Sequence, residues 1–429
     1  MEGKCVIKSK CLRRIFPIIR KIRMGVVLSF IAIVNLHAQT GDEANYDESK
    51  IPPYTVPALL ETISGEEVTT SQQWEQIRRP EVLSLFTEQV YGKMSTDIKL
   101  DVSYEEIEES PMALDGSAIR KQIKITFRRD TIEREALVLM YLPNQIETPI
   151  PVFLCFNFRG NQSISMDPDI IPSQYSDYPR GDREDRWPVE KIVAAGYGVV
   201  TAHYFDFFPD SKENYAESIL PLFGYRLEED IPADGGQAIA TWAWGYSRVM
   251  DYLETDQQVD ASKVIVMGHS RLGKTALWAG ATDQRFAMVI SNDSGCGGAA
   301  LSRRRIGETV NQINKVFPHW FCKNFHSYNQ KEDELPIDQH ELLALIAPRP
   351  LYVASAEEDL WADPKGEFLS AAYAGEVYQL YGFEGLNTTE VPPVNAPIQN
   401  RVAYHKRSGK HSVTDYDWEN YILFANKWL

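Results

Sequence analysis

The chain has 429 residues, 44% of them apolar and 11% aromatic, which suits one large core with long insertions and is too much for a single minimal domain. The formal net charge is −16; residues 1–23 hold eight Lys or Arg against one Glu, so residues 24–429 carry −23. A body this acidic argues against nucleic acid and anionic membrane surfaces as partners.

The first stretch reads as a secretory signal over 1–38. Arg13, Arg14, Arg20, Lys21 and Arg23 form a basic region, 25–36 is an apolar run, and 36–39 offers a cleavage site. The run is short for a membrane span, with a retained signal anchor as the alternative. A secreted or periplasmic protein, free of the membrane after signal removal, is expected. Cys5 and Cys11 fall in this segment, which leaves Cys155, Cys296 and Cys322. Three thiols make no disulfide scaffold, though a Cys296–Cys322 bridge stays open. No C-x-x-C or H-E-x-x-H pattern occurs, so neither a metal nor another cofactor is expected.

Residues 39–70 read as a leader, polar and marked by Pro52, Pro53 and Pro57. Helical spacing over 74–91 with Pro80 near its middle predicts two short helices. Strand-like runs follow at 98–104, 119–127 and 132–142, the middle one alternating as a half-exposed antiparallel strand does. The run 151–158 is apolar without alternation, the mark of a strand buried on both faces. A short helix over 187–195, a strand over 197–203 and an irregular insertion over 205–234 come next. A helix is predicted over 235–254, a buried strand at 286–291, a second insertion over 300–328 and strands at 350–354 and 403–405. A closing helix is predicted over 415–428. Strand and helix alternate from 150 onward, which gives an α/β fold: a three-layer sandwich on a mainly parallel sheet, with antiparallel N-terminal strands and long loop insertions. The catalytic domain is placed at 71–429.

Between 254 and 286 lies the stretch with the most chemistry. Val264, Ile265, Val266 and Met267 read as a buried strand. Gly268, His269, Ser270, Arg271, Leu272 and Gly273 make a tight turn, and Thr275 to Ala281 read as a helix. A serine at the apex of strand, turn and helix is a nucleophile elbow. Leu272 stands where that motif has its second glycine. A rival exists, because Gly268, Gly273, Lys274 and Thr275 also fit a phosphate-binding loop. Its bulky His269, Arg271 and Leu272 disfavour a backbone cradle for phosphate.

A serine nucleophile needs a base, and the base a carboxylate, in the chain order Ser, acid, His of α/β-hydrolases. After the predicted strand at 350–354 come Glu357, Glu358 and Asp359, and of eight His only His405 and His411 follow these acid candidates; His405 sits in a strand and His411 in a loop before the last helix. Asp293 and Asp359 each follow a predicted strand. Lys274 lies one helical turn past Ser270 and shares its face, within reach of a sugar hydroxyl. Arg271 places its backbone N–H for an oxyanion. Nine Trp and 21 Tyr supply flat faces suited to a sugar or aromatic ligand, although a large core uses the same residues.

The pattern Gly268-x-Ser270-Arg271-x-Gly273-Lys274 resembles the signature of glucuronoyl esterases, carbohydrate esterase family fifteen, of the α/β-hydrolase superfamily. The bacterial branch resembles residues 70–429. Its matching stretches include Arg186-Trp187-Pro188, Asn292-Asp293-Ser294-Gly295, Gly307-Glu308-Thr309, Phe317-Pro318-His319-Trp320-Phe321 and Trp361-Ala362-Asp363-Pro364. The resemblance implies a serine esterase that cleaves the ester between 4-O-methyl-glucuronic acid of glucuronoxylan and lignin alcohols. It implies Arg271 supporting the oxyanion and Glu308 and Trp361 contacting the uronosyl ring. The family places its acid at either of two strands, here Asp293 or Asp359. Asp359 is favoured, because an Asp at 293 is one methylene shorter than the Glu of many members. An acetyl or feruloyl xylan esterase and a non-catalytic carbohydrate-binding protein are the alternatives. A monomer is expected.

Overall fold

Alternate residues of one strand explain the layers. The computed structural model describes residues 43–144 and 149–429, so the predicted signal segment lies outside the described residues. In strand β6 (Val259–His269), Val264 and Val266 face one apolar cluster while Ile265 and Met267 face another. A strand without polar alternation must be covered on both sides. Helices α3 (Ala238–Leu253), α4 (Arg271–Thr282) and α7 (Pro364–Leu380) cover the first face, and α2 (Val189–Ala194) and α8 (Asp415–Trp428) the second.

Ten strands among the described residues form one sheet in the order β1-β2-β3-β5-β4-β6-β7-β8-β10-β9. β1 (Asp101–Ala113), β2 (Ala118–Arg129) and β3 (Ile132–Pro143) run antiparallel, and β3 pairs antiparallel with β5 (Gly198–Ala202). From β5 the sheet is parallel through β4 (Ile150–Cys155), β6, β7 (Met288–Asn292), β8 (Leu351–Ala356) and β10 (Val402–Arg407). The two-residue β9 (Ile398–Gln399) closes the edge antiparallel to β10. This is the α/β-hydrolase arrangement.

The register fixes the site. His269 pairs with Asn292, Asn292 with Ala354, and Arg407 with Ala356, so β6, β7, β8 and β10 end along one edge. The chain order reverses at β4, next to β6, where open parallel sheets place their crevice. Ser270, Asp293, Asp359 and His411 all follow these strand ends within a few residues.

Three expectations are corrected. Residues 71–91 form one unbroken helical run, with α1 (Arg79–Phe86) flanked by wide turns at Trp74–Arg78 and Thr87–Tyr91. Pro80 lies at the start of α1, where the wider turn before it accommodates a residue without an N–H. β1 runs from 101 to 113 rather than 98 to 104, because its Glu-rich second half is an exposed edge strand with no apolar period. The insertion 300–328 contains a capped helix, α5 (Val310–Val316), followed after the loop by α6 (Gln339–Ala344). Residues 45–70 of the leader lie on the domain: Arg78 donates to the carbonyls of Ala58 and Leu59, and His340 bonds Pro57. Among the described residues no helix is long and apolar enough to cross a membrane.

Candidate active site

Ser270 sits at the end of β6 with φ 58° and ψ −127°, a left-handed backbone that a side-chain-bearing residue adopts only under constraint. The constraint is visible. Its N–H bonds Asn292 O at 2.9 Å, and its own carbonyl accepts from Gly273 and Lys274 in the first turn of α4. A Cβ on Gly268 would lie 1.9 Å from the Leu272 carbonyl oxygen, so only glycine lets the strand end and helix start approach this closely. Gly268 and Gly273 thus provide the room that the elbow needs, and Leu272 buries its side chain in the core. Arg271 is the first residue of α4, and its N–H belongs to the turn that a helix leaves without acceptors of its own.

The phosphate-loop reading fails on its two characteristic side chains. Lys274 is buried, donates to Ser294 O at 2.5 Å and lies 3.8 Å from Glu308. Thr275 donates to Arg271 O at 2.9 Å inside its own helix. Both polar groups are held by protein partners.

His411 stands beside this elbow. Its ring centroid is 4.4 Å from that of His269, the residue before Ser270. Its Nδ1 bonds Asp359 Oδ2 at 2.6 Å, with the Asp359 carboxylate buried and the imidazole half-exposed. Asp293 is also near: Asp293, Asp359 and His411 offer ligand-type atoms within 4.8 Å of one another. The surroundings of Asp293 differ. Its Oδ2 accepts from Arg407 at 3.4 Å and from the Ser412 N–H at 3.3 Å, and its buried Oδ1 has no hydrogen-bond partner. Burial first, then the charges of Glu367 and Asp359, push its carboxyl well above the usual range against the pull of Arg407.

Arg407 organises the histidine loop. Besides Asp293 it donates to the carbonyls of Ser408, Lys410 and Ser412, and its Nε bonds Asp417 at 2.8 Å. His269 is kept neutral: burial, then the charge of His411, pulls its imidazole well down, and its Nδ1 bonds Asn292 Oδ1 at 2.6 Å. Glu367 lies beneath, accepting from the Ser294 and Gly295 N–H groups at 2.8 and 2.9 Å and from Ser355 Oγ at 2.6 Å. It thereby fixes the loop that follows Asp293.

The Arg271 side chain is caged. Asp210 binds its guanidinium and also accepts from His319 Nε2 at 2.8 Å, Trp320 Nε1 at 2.7 Å and Tyr204 Oη at 3.1 Å. The guanidinium lies 4.6 Å over the Trp320 ring, which stacks on Phe317. Burial alone would raise the Asp210 carboxyl, yet Arg271 and these donors hold it well below the usual range. On the other side of Lys274, the Glu308 N–H donates to Trp361 O at 2.9 Å. Burial raises the Glu308 carboxyl, with Lys274 opposing.

Ser270, Asp293, Asp359 and His411 thus follow strand ends at one edge of the sheet, Arg271 and Lys274 lie in the first turn of α4, and Glu308 and Trp361 sit on two loops joined through their backbones. Glucuronoyl esterases match this chain in sequence and in structure. The family profile described as glucuronyl esterase, fungi, matches residues 229–382. A carbohydrate esterase designated MZ0003, from an unknown prokaryotic organism, is 46% identical over 398 residues, covering 89% of this chain and 91% of that protein. The chain belongs to carbohydrate esterase family 15. The solved structure of a glucuronoyl esterase from Solibacter usitatus superposes on this family member with a TM-score of 0.83 at 45% identity, covering 88% of this chain and 99% of that one. A 4-O-methyl-glucuronoyl methylesterase of Wolfiporia cocos is 37% identical over 290 residues, 62% of this chain and 70% of that protein.

Several residues that shape this esterase site receive no role from the sequence. Asp210 lies in an insertion without periodicity, 61 residues from its partner Arg271. Arg407 stands in no motif, and Glu367 lies in the run 361–368 that resembles the family without a role of its own, yet both are buried. His319 and Trp320 stood in a recognisable run, but nothing local tied that run to Arg271. Cys155, Cys296 and Cys322 are all buried free thiols, so the Cys296–Cys322 bridge is not formed.

Proposed function

We propose that this family-15 esterase hydrolyses the ester between 4-O-methyl-glucuronic acid of glucuronoxylan and lignin alcohols, through an acyl-enzyme on Ser270. The observation that carries the reading is the 2.6 Å bond from His411 to buried Asp359, beside a serine held on a strained elbow. His411 Nδ1–H donates to Asp359, which leaves Nε2 free to take the Ser270 proton. The Ser270 oxygen attacks the uronoyl carbonyl, and the negative charge moves to its oxygen. The Arg271 N–H, with the caged guanidinium nearby, stabilises that oxyanion. As the tetrahedral species collapses, the bond to the alcohol breaks and the imidazolium returns its proton to the leaving oxygen. Water, deprotonated by His411, then attacks the acyl-enzyme and releases the uronic acid and Ser270.

Lys274, Glu308 and Trp361 are assigned to the sugar. A buried lysine next to a buried carboxylate offers a donor and an acceptor to adjacent hydroxyls, which an acetate ester would not use. Secretion follows from the signal-like segment at 1–38. The test is turnover of benzyl glucuronate against p-nitrophenyl acetate and methyl ferulate, in the native protein and in Ser270→Ala. Native preference for the glucuronate ester is expected, with kcat in Ser270→Ala lower by on the order of 10⁴ to 10⁶ and the fold retained. Near-native turnover in the variant sinks the serine mechanism. A native preference for acetate or ferulate sinks the uronate assignment.

A further inference from the structure

Three segments far apart in the chain meet around two residues assigned to the sugar. Glu308 follows a left-handed backbone at Gly307 (φ 61°), and Trp361 precedes another at Asp363 (φ 51°). A loop with such a backbone keeps its shape only when its neighbours hold it. The Glu308 N–H bonds Trp361 O at 2.9 Å, which joins the two loops once. Buried Arg304 joins them again, because its guanidinium donates to both Asp363 oxygens, at 2.8 and 3.2 Å. Asp363 in turn accepts from the Gly366 N–H at 3.0 Å and caps α7.

The third segment is 45–48, ahead of the first helical run. Asn45 O accepts from the Gly307 N–H at 2.8 Å, so the successive N–H groups of 307 and 308 are tied to two different segments. Glu48 reaches both loops with its two oxygens: Oε1 accepts from Arg304 at 2.5 Å and Oε2 from Lys365 at 2.7 Å. Between these anchors the segment is stiff. The Asp47 N–H donates to Asn45 Oδ1 at 2.9 Å, and Asp47 accepts from the Ser49 N–H at 3.0 Å at the start of the short turn Glu48–Lys50. One backbone bond and one carboxylate shared by two cations therefore clamp the junction of the loops that carry Glu308 and Trp361.

The clamp is separable from the fold. Glu48 and Lys365 are half-exposed, and an ion pair in that setting contributes little to stability. Arg304 and Asp363 are buried and bond each other without Glu48, so removing Glu48 leaves no buried charge unpaired. We infer that the segment 45–48 belongs to the uronate site, with Glu48 a positioning residue that sets the spacing of Glu308 and Trp361. The inference rests on the assignment of those two residues to the sugar. It extends the substrate site to a segment outside the predicted catalytic domain of 71–429.

The experiment measures kcat and KM on benzyl glucuronate, with p-nitrophenyl acetate as an ester that lacks the uronate. In Glu48→Ala, KM on the glucuronate should rise roughly two- to fivefold with kcat nearly native, the scale of one half-exposed ion pair. The glucuronate-to-acetate ratio of kcat/KM should fall by about the same factor. Lys365→Ala should move KM in the same direction. The double variant should be no worse than Glu48→Ala alone, because Lys365 acts through Glu48. High salt screens this pair and not an uncharged ester, so it should raise the native KM more than that of Glu48→Ala. An unchanged KM in Glu48→Ala, equal losses on both esters, or additive losses in the double variant overturn the inference and leave the esterase reading standing. A native protein inactive on benzyl glucuronate overturns the esterase reading, and this inference with it.

Discussion

Asp293 and Asp359 are both buried beside His411, but they differ in what already occupies them. Asp359 turns one oxygen to His411 Nδ1 at 2.6 Å. Asp293 gives Oδ2 to Arg407 and the Ser412 N–H, and burial among other carboxyls disfavours its charge. A catalytic orienter must stay ionised and must aim at Nδ1 to stabilise the imidazolium. Asp359→Asn should therefore lower kcat on a glucuronate ester by roughly 10² to 10⁴, and Asp293→Asn by about tenfold or less. Because the two carboxyls share one neighbourhood, the double variant should be worse than either single one. A larger loss in Asp293→Asn than in Asp359→Asn would reverse the assignment. In the sequence, placement after the later strand and the short reach of an Asp at 293 favour Asp359, and neither reason involves the partners of Asp293. What separates the two is Arg407, a residue whose contacts at 293, 417 and the histidine loop no local pattern announces.

The strands were legible because a parallel strand covered on both faces has to be apolar throughout, as at 151–155 and 264–267. Helix α7 was not, although it is the longest helix among the described residues. It is buried on most sides, with Glu367 and Ser370 inside as well as Phe368 and Val377, so it has no single apolar stripe to read. Its N-terminal approach carries Trp361, and that loop meets the Glu308 loop at Gly307. Gly307 has φ 61°, and a Cβ there would lie 2.3 Å from the Trp361 carbonyl oxygen. Backbone cannot yield as a flexible side-chain tip can, so Gly307→Ala must push the two loops apart. The positive φ and the clash together should cost about 1–3 kcal/mol of stability. If these loops hold the uronate, KM on a glucuronate ester should rise several-fold, with a smaller change in kcat. Thermal unfolding and the kinetics of the one variant test both points. A native KM in a destabilised Gly307→Ala would detach the loops from substrate binding.

Over the whole molecule, burial sets opposing groups of proton affinities. Asp206, Glu341 and Glu367 are buried, and each carboxyl is pushed up to about 7 from 3.8 or 4.5. His203 and His340 are buried too, and their imidazoles are pulled down to about 4 from 6.5. Between about pH 4.5 and 7 the folded protein keeps protons on those carboxyls that the unfolded chain has released, so this term lowers stability as pH rises. Between about pH 4 and 6.5 the unfolded chain takes up protons that the buried imidazoles refuse, so this term raises stability with pH. The two slopes oppose each other up to about pH 6.5, and above it only the carboxyl term of this set continues. Below about pH 4 a third loss begins. Asp210 and Asp417, which burial alone would raise, are held below 3.8 chiefly by Arg271 and His319 and by His405 and Arg407, and their protonation breaks those bonds. Stability should therefore be flattest between about pH 4.5 and 6.5 and should decline from there to about pH 8. Asp206 allows a clean test, because its Oδ2 accepts from the Leu137 N–H at 3.0 Å and an amide oxygen can do the same. Asp206→Asn removes one of the titrating carboxyls, so its Tm should fall less than the native Tm between pH 6.5 and 8. Unfolding followed from pH 4 to 9 in both proteins gives the comparison. A native Tm that climbs from pH 6.5 to 8, or an alkaline decline equally steep in Asp206→Asn, would show that these buried carboxyls do not set the alkaline limit.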